Sequence, residues 1–207
     1  MEGWYILGTG HFALEVLEWA CDAGLSRSKL QGFLGQSKDA PALQTGFPCL
    51  DEGSAELNER TPIVNAISTP GVKQKVCESI KAKGGSFHTV VHPTAVVKTN
   101  EIGAGTVVCP NCVVGPFAEI GELVTLNYHT GVGHETKVGD YVSTAPGVQI
   151  GGNSMIGSGS YFGMNSAVID KVKVGADVTA SVGSVIIGRI SDGQRVAGNP
   201  AKRSRVF

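Results

Sequence analysis

The stretch LNYHTGVGHETKVGDYVSTAPGVQIG, from Leu126 to Gly151, places an apolar or small residue at every sixth position. An α-helix repeats its apolar face every 3.6 residues and a simple strand every two, so neither explains a period of six. The same period runs without a break over some ninety residues. Its positions are Ile102, Val108, Val114, Ile120, Leu126, Val132, Val138, Thr144, Ile150, Ile156, Phe162, Val168, Val174, Ala180 and Ile186.

A six-residue period predicts a parallel β-helix, in which each hexad forms one short strand and one corner. Three hexads close one triangular coil, so residues eighteen apart stack. The fifteen hexads therefore make about five coils, and a strand spacing of about 4.8 Å makes the prism roughly 25 Å tall. One predicted column contains Leu126, Thr144, Phe162 and Ala180, where small residues flank the large Phe162. The chain before residue 90 and the tail after Ile190 are expected to cover the ends.

The first ninety residues show a different pattern. Trp4–Leu7 is predicted as a short buried strand, followed by a glycine-rich turn and a helix that ends at Gly24. Leu30–Gly35 and Pro62–Ser68 are predicted as further strands, and Gly71–Gly85 as a second helix. Strands that alternate with helices indicate a small parallel α/β domain, whose ligands bind at the carboxyl ends of the strands.

The turn GTGH contains Gly8, Gly10 and His11 and is a fragment of the G-x-G-x-x-G fingerprint. Glycine there lets the backbone approach a pyrophosphate, and the helix start favours an anion. The alternative is a tight turn that only packs the helix on its strand.

Composition excludes several other classes of function. A formal net charge of −1 argues against a nucleic-acid-binding surface. No apolar run reaches membrane-spanning length, and the first residues show no secretion signal, so we expect a cytoplasmic protein. The five cysteines form no disulfide framework. Cys109 and Cys112 have the spacing of half a zinc site, but no second pair exists, so no metal is expected.

The residues of the repeat also suggest a chemical site. His134 is the third residue of its hexad, and Gly152 lies eighteen residues later, directly above it. A histidine with a glycine on the next coil leaves a niche in which an imidazole base and the Gly152 amide serve acyl transfer. Adjacent strand residues point to opposite faces, so Glu135 can hold His134 only if the chain bends there. The alternative is a surface histidine.

The prism resembles the left-handed β-helix hexapeptide-repeat acyltransferases. The order of a GxGxH-type α/β domain, VVHPTAVV (Val90–Val97) and hexads, with GHETKVGDYV, GMNSAVI and GNPAK, resembles the sialic acid O-acetyltransferase and bacillosamine-type sugar acetyltransferases. The resemblance implies a Rossmann-like substrate-binding domain over 1–89 and a left-handed β-helix over 90–207. It also implies a homotrimer with acetyl-CoA as cosubstrate and active sites between subunits.

The resemblance further assigns roles to single residues. His134 would be the general base, oriented by Glu135, and Asn127 would bind the acceptor sugar. The coenzyme would lie near Met164, Asn165 and Gly183, with Gly152 beside it. Ser143 stands where relatives carry a second histidine at the thioester. Candidate contacts to the coenzyme phosphates are Lys202, Arg203 and Arg205.

Two departures concern nucleotide recognition. Lys73 is the nearest match to an arginine of the sugar-binding helix, and Gly35 and Gln36 replace an acidic pair.

The leading hypothesis is N-acetylation of an amino sugar, with a nucleotide-linked 4-amino sugar as the preferred acceptor class. O-acetylation of a sialic-acid-type hydroxyl is the alternative, and a non-catalytic β-helix scaffold is a third. A zinc-dependent hydration enzyme needs three metal histidines, and His129 and His134 do not share a stacking column.

Overall fold

The computed structural model describes residues 3–35, 40–51 and 61–204. Two of the residues discussed above, Gln36 and Arg205, lie outside these ranges.

The N-terminal part is one parallel five-stranded sheet with two helices. The helices are α1 (His11–Asp22) and α2 (Pro70–Ala82). The strands are β1 (Trp4–Leu7), β2 (Leu30–Leu34), β3 (Cys49–Leu50), β4 (Pro62–Asn65) and β5 (Ser86–Phe87). They lie in the order β3-β2-β1-β4-β5, and every pair is parallel. All four residues of β1 are buried, as expected of a central strand covered on both faces. The predicted strands and helices are confirmed to within a few residues.

The remaining strands form the β-helix. They are β6 (Val90–Val91), β7 (Val96–Val97), β8 (Val107–Val108), β9 (Val113–Val114), β10 (Glu119–Ile120), β11 (Thr125–Leu126), β12 (Gly131–Val132), β13 (Lys137–Val138), β14 (Ser143–Thr144), β15 (Gln149–Ile150), β16 (Met155–Ile156), β17 (Tyr161–Phe162), β18 (Ala167–Val168), β19 (Lys173–Val174), β20 (Thr179–Ala180), β21 (Val185–Ile186), β22 (Arg195–Ala197) and β23 (Lys202–Arg203).

These strands stack into three faces. The first face has the order β23-β22-β20-β17-β14-β11-β8-β6, the second β21-β18-β15-β12-β9-β7, and the third β10-β13-β16-β19. We call the bends between the first and second faces the first corner, between the second and third the second corner, and between the third and first the third corner. The predicted column is confirmed, since Thr144 pairs with Phe162 and Phe162 with Ala180.

The hexads repeat one local conformation at each corner. Counting the inward aliphatic residue as position one, position four adopts a left-handed backbone in ten non-glycine residues. They are Asn111, Phe117, Leu123, His129, Glu135, Tyr141, Asn153, Asn165, Lys171 and Asp177. Each corner therefore turns at the same point, which places positions three and four on the outside of the bend.

The two ends of the β-helix depart from the eighteen-residue coil. Val90 pairs with Val107, seventeen residues away. At the other end Thr179 pairs with Arg195, sixteen residues away. The strict period from Ile102 onward therefore misses β6 and β7. The antiparallel strand β23 closes the edge of β22, which confirms that the tail covers one end.

The α/β part packs along the first face and its two flanking corners. Trp19 of α1 makes an edge-to-face contact with Tyr128 of the first corner, with ring centroids 6.3 Å apart. Cys77 and Ile80 of α2 share a buried cluster with Leu123 of the third corner. Lys81 pairs with Glu122 at the same corner.

Candidate active site

The second corner carries the proposed base. His134 follows β12, and its side chain is 60% exposed. Its Nδ1 atom lies 3.0 Å from Oε2 of Glu135. Glu135 occupies position four with φ of 56°. Because the chain bends there, two consecutive side chains lie on one side of the backbone and contact each other.

Gly152 lies one coil above His134 and leaves room for the imidazole. A Cβ atom on Gly152 would lie 2.7 Å from His134 Nε2. The ring therefore occupies the space that the sequence predicts as an empty niche. The missing side chain also leaves backbone amides uncovered, since neither the His134 nor the Gly152 N–H donates a hydrogen bond within the described ranges. An imidazole nitrogen and open amides thus lie at one corner.

A third residue, Asn153, completes this cluster. Its Nδ2 atom donates to Glu135 Oε2 at 3.0 Å. The hydrogen bonds from His134 and Asn153 lower the pKa of the Glu135 carboxyl below its usual value. Asn153 is not among the residues predicted for the site, although its position eighteen residues after Glu135 is a signal that could have identified it.

The arrangement fixes the imidazole for proton transfer. A carboxylate only accepts hydrogen bonds, so Nδ1 of His134 is the nitrogen that carries hydrogen toward Glu135. Nε2 then has the free lone pair and can take a proton from a substrate group.

Four of the coenzyme and acceptor candidates lie on the first corner: Asn127, Met164, Asn165 and Gly183. Asn127 is largely buried, and its Oδ1 accepts the amide of Tyr128 at 2.8 Å. Met164 is 47% exposed, and its carbonyl accepts the amide of Gly183. Gly183 has φ of 65°, and a Cβ atom on it would meet no neighbour within 4 Å. Asn165 directs its side-chain oxygen toward Gly147 on the coil below.

Two groups of the predicted site residues therefore lie at two different corners of one chain. His134 and Gly152 lie at the second corner, whereas Met164 and Gly183 lie at the first. The whole second face separates the two groups. A single chain does not bring them together.

Lys73 and Ser143 are placed away from both groups. The Lys73 ammonium is fully buried and donates to Thr125 Oγ1 at 3.3 Å, Val142 O at 3.2 Å and Ser143 Oγ at 2.8 Å. Its three donors are thus all used between α2 and the β-helix, and the expected substrate contact of Lys73 is not available. Burial lowers its pKa to about 7. Ser143 is buried beneath it, so the expected contact with the coenzyme is not available to this hydroxyl either.

The glycine turn lies where the strand order reverses. Gly8 has φ of 121°, and a Cβ atom there would lie 2.9 Å from the carbonyl of Ala66, which follows β4. Gly10 precedes α1 without a side-chain cap, and a Cβ atom on it would meet nothing within 4 Å. His11 is exposed at the start of α1. The first amides of this helix are therefore accessible to a ligand.

Two cations of the tail lie on the last strand of the first face. Lys202 and Arg203 form β23, and both are exposed. On the opposite side, the third face carries a separate groove of about 610 Å³ lined by Glu119, Lys137, Met155 and other residues, which does not include His134.

Two kinds of feature do not occur in the described part of the chain. Neither helix is long and apolar enough to cross a membrane. Among the same residues, no group of three or more histidine, cysteine, aspartate or glutamate side chains is arranged to hold a metal ion. Cys109 and Cys112 are both buried free thiols.

Known proteins resemble this chain in sequence and in structure. The chain is 30% identical over 146 residues to the GDP-perosamine N-acetyltransferase of Escherichia coli O157:H7, covering 68% of this chain and 66% of that relative. It is 33% identical over 99 residues to serine acetyltransferase 4 of Arabidopsis thaliana, but this match spans only 28% of that relative. No family model matches the chain.

A solved structure matches over the full length. The acetyltransferase domain of PglB from Neisseria gonorrhoeae FA1090 has a TM-score of 0.89 and 28% sequence identity, covering 99% of this chain and 100% of that one. The same domain has also been solved in complex with acetyl coenzyme A, with a TM-score of 0.85. The repeat, the domain order and these matches agree: the chain belongs to the hexapeptide acyltransferase family, and it is similar to perosamine- and bacillosamine-type sugar N-acetyltransferases of that family.

Proposed function

We propose that this protein transfers the acetyl group of acetyl-CoA to the amine of a nucleotide-linked amino sugar, with His134 as the general base. The observation that carries the proposal is the His134–Glu135 pair, packed against Gly152 beside the His134 and Gly152 amides, which donate no hydrogen bond within the described ranges. Support comes from the sugar N-acetyltransferases that the chain resembles.

The geometry supports a direct transfer. Nε2 of His134 takes a proton from the attacking amine, while Glu135 holds Nδ1 and stabilises the imidazolium. The amine nitrogen bonds to the thioester carbonyl carbon, and an amide such as that of Gly152 stabilises the negative charge on its oxygen. The carbon–sulfur bond then breaks, and the proton on Nε2 passes to the departing sulfur.

The first corner fits the coenzyme. Gly183 offers an open ledge without a side chain, next to the exposed Met164 and the 70% exposed Val182. An extended arm with apolar and amide groups suits such a surface. Asn165 would border this arm, and Lys202 and Arg203 would contact the phosphates. When bound there, acetyl-CoA supplies the activated acyl group.

We infer that the complete site forms between chains of a homotrimer. The second corner of one subunit would face the first corner of its neighbour, which joins the two groups of residues. Support comes from the outward side of the second face, where Val96 and Val113 are about half exposed and Phe117 at the adjoining corner is 78% exposed. Exposed apolar surface of this kind is typical of subunit contacts.

The α/β part would hold the acceptor. Its strand order and the contact between Gly8 and the chain after β4 support a Rossmann-like domain spanning residues 1–89, ahead of a left-handed β-helix. The nucleotide would lie on Gly8, Gly10 and the first amides of α1. Asn127 would contact the sugar. The five free cysteines agree with a reducing, cytoplasmic setting.

The proposal is tested by acetyl transfer to defined acceptors. CoA release is measured with UDP-, dTDP- and GDP-linked amino sugars, and with free sialic acid. Transfer to a nucleotide-linked amine supports the proposal, and transfer to sialic acid alone supports O-acetylation. A titration with CoA that leaves the melting temperature unchanged would support the scaffold alternative, because a ligand of the folded state must raise it.

Mixed subunits test the shared site. His134→Ala and Gly183→Trp damage different corners, so each variant alone should be inactive. In a trimer with sites between chains, equal mixing restores about a quarter of the sites, because each intact site takes one corner from each variant. A mixture that stays inactive would contradict the shared site.

A further inference from the structure

Asn153 contacts both members of the His134–Glu135 pair. Its main-chain amide donates to the carbonyl of His134 at 2.8 Å. Its side-chain Nδ2 donates to Oε2 of Glu135 at 3.0 Å, the same oxygen that faces His134 Nδ1. The carboxylate is therefore held from the imidazole on one side and from the next coil on the other.

The fold dictates this placement. Asn153 occupies position four of its hexad with φ of 55°, a left-handed conformation that asparagine tolerates well. Side chains at this position reach back to the coil below. The oxygens of Asn165 and Asp177 lie close to where Cβ atoms of Gly147 and Gly159 would be, each eighteen residues earlier. The residue eighteen before Asn153 is Glu135, which offers a carboxylate instead of bare backbone.

The main-chain bond belongs to the scaffold and the side-chain bond does not. The equivalent amides of Tyr141 and Lys171 donate to the carbonyls of Glu122 and Gly152 in the same way. Among the described residues, a substitution of Asn153 therefore removes only the side-chain contact with Glu135. Without it, the carboxylate is free to rotate away from Nδ1 of His134.

We infer that Asn153 is a positioning residue for acetyl transfer: its amide holds the Glu135 carboxylate in the orientation that fixes the His134 imidazole. This inference rests on the proposed function. It makes the base a chain of three residues across two coils, in which Asn153 acts through Glu135 and contacts neither substrate.

Steady-state kinetics with matched variants test the inference. Asn153→Gly keeps the left-handed backbone and removes the donor, so kcat should fall about fivefold, as expected for one lost hydrogen bond, with KM for acetyl-CoA unchanged. Asn153→Asp keeps the shape but places a second carboxylate against Glu135, so its loss should be larger. Asn111→Gly, at position four of another corner with φ of 57°, should leave kcat unchanged. Wild-type kcat in both Asn153 variants would overturn the inference.

A measurement without substrate separates this inference from the proposed function. The pKa of the Glu135 carboxyl, followed by carbon NMR, should rise in Asn153→Gly and stay unchanged in Asn111→Gly. An unchanged pKa in Asn153→Gly would overturn the inference even if the enzyme is active. Absence of acetyl transfer by the wild type would overturn the proposed function, and the NMR shift would still decide whether Asn153 holds Glu135.

Discussion

The second and third corners have the same backbone conformation but differ in the hydrogen bonding of the amide at position three of the hexad. At the third corner the amide of Glu122 donates to Asp140 Oδ1 at 2.8 Å, and the amide of Asp140 donates to Ser158 Oγ at 3.1 Å. At the second corner, His134 has only Gly152 above it, and neither amide donates a hydrogen bond within the described residues.

The difference shows that one corner of a repeat can stabilise the fold while another keeps polar groups available for a reaction. The third corner is capped by side chains of the next coil and covered by α2, whose Lys73 and Lys81 contact Val142 and Glu122. The second corner has a glycine at the capping position, so that polar backbone stays available while an imidazole packs beside it. A glycine in place of a capping side chain thus leaves polar backbone open beside the His134–Glu135 pair.

Removing the imidazole should have the largest effect. His134→Ala deletes the proposed general base, and loss of such a group lowers kcat by about 100-fold or more. Acetyl transfer is measured by CoA release, and CoA binding is measured separately by thermal shift. The binding of CoA should be retained. Asp140→Ala changes the same hexad position at the third corner and should retain activity. Full activity of His134→Ala would contradict the proposal that the second corner supplies the general base.

The free energy of unfolding should depend on pH through Lys73, which is buried between α2 and the first face. Its pKa of about 7 in the folded protein lies below the unfolded value of about 10.4. Between these two pKa values the unfolded chain binds more protons than the folded protein. The free energy of unfolding therefore increases as pH rises.

Unfolding in denaturant checks this at pH 7 and pH 9. Relative to Lys73→Met, the wild type should gain about 1–3 kcal/mol over this interval. Lys75→Met, an exposed position on the same helix, should show the wild-type dependence. Parallel curves for wild type and Lys73→Met would contradict the account.

Uncapping the third corner should have the smallest effect. Asp140→Ala removes the acceptor of the Glu122 amide and should lower the free energy of unfolding by about 1 kcal/mol. Asp170→Ala, at position three of the second corner, removes a carboxylate that caps no amide in the described structure and should cost less. Equal losses in the two variants would show that the corners do not differ in capping.

Much of this contrast could be predicted from the sequence, because the period fixes which residues stack. The eighteen-residue spacing places Gly152 above His134 and predicts the column of Leu126 and Phe162 before any coordinates are known. The same spacing places Asn153 above Glu135, but it cannot show that the Asn153 amide reaches the carboxylate, because that depends on how a side chain leaves a left-handed corner residue.

The sequence also could not predict that Lys73 is buried. The sequence of α2 shows lysines at several positions, and only the docking of the helix on Thr125 and Ser143 decides which one is enclosed. The period also did not predict the strands of the first coil, β6 and β7. This coil has seventeen residues, whereas the six-residue period requires eighteen.

The rate of acetyl transfer by Gly152→Ala tests the central claim most directly. A Cβ atom at this position would lie 2.7 Å from His134 Nε2 and displace the imidazole, whereas at Gly188, position three of the same corner thirty-six residues later, it would meet nothing within 4 Å. We predict that kcat falls about tenfold or more in Gly152→Ala, with wild-type kcat in Gly188→Ala. Wild-type kcat in both variants would contradict the account.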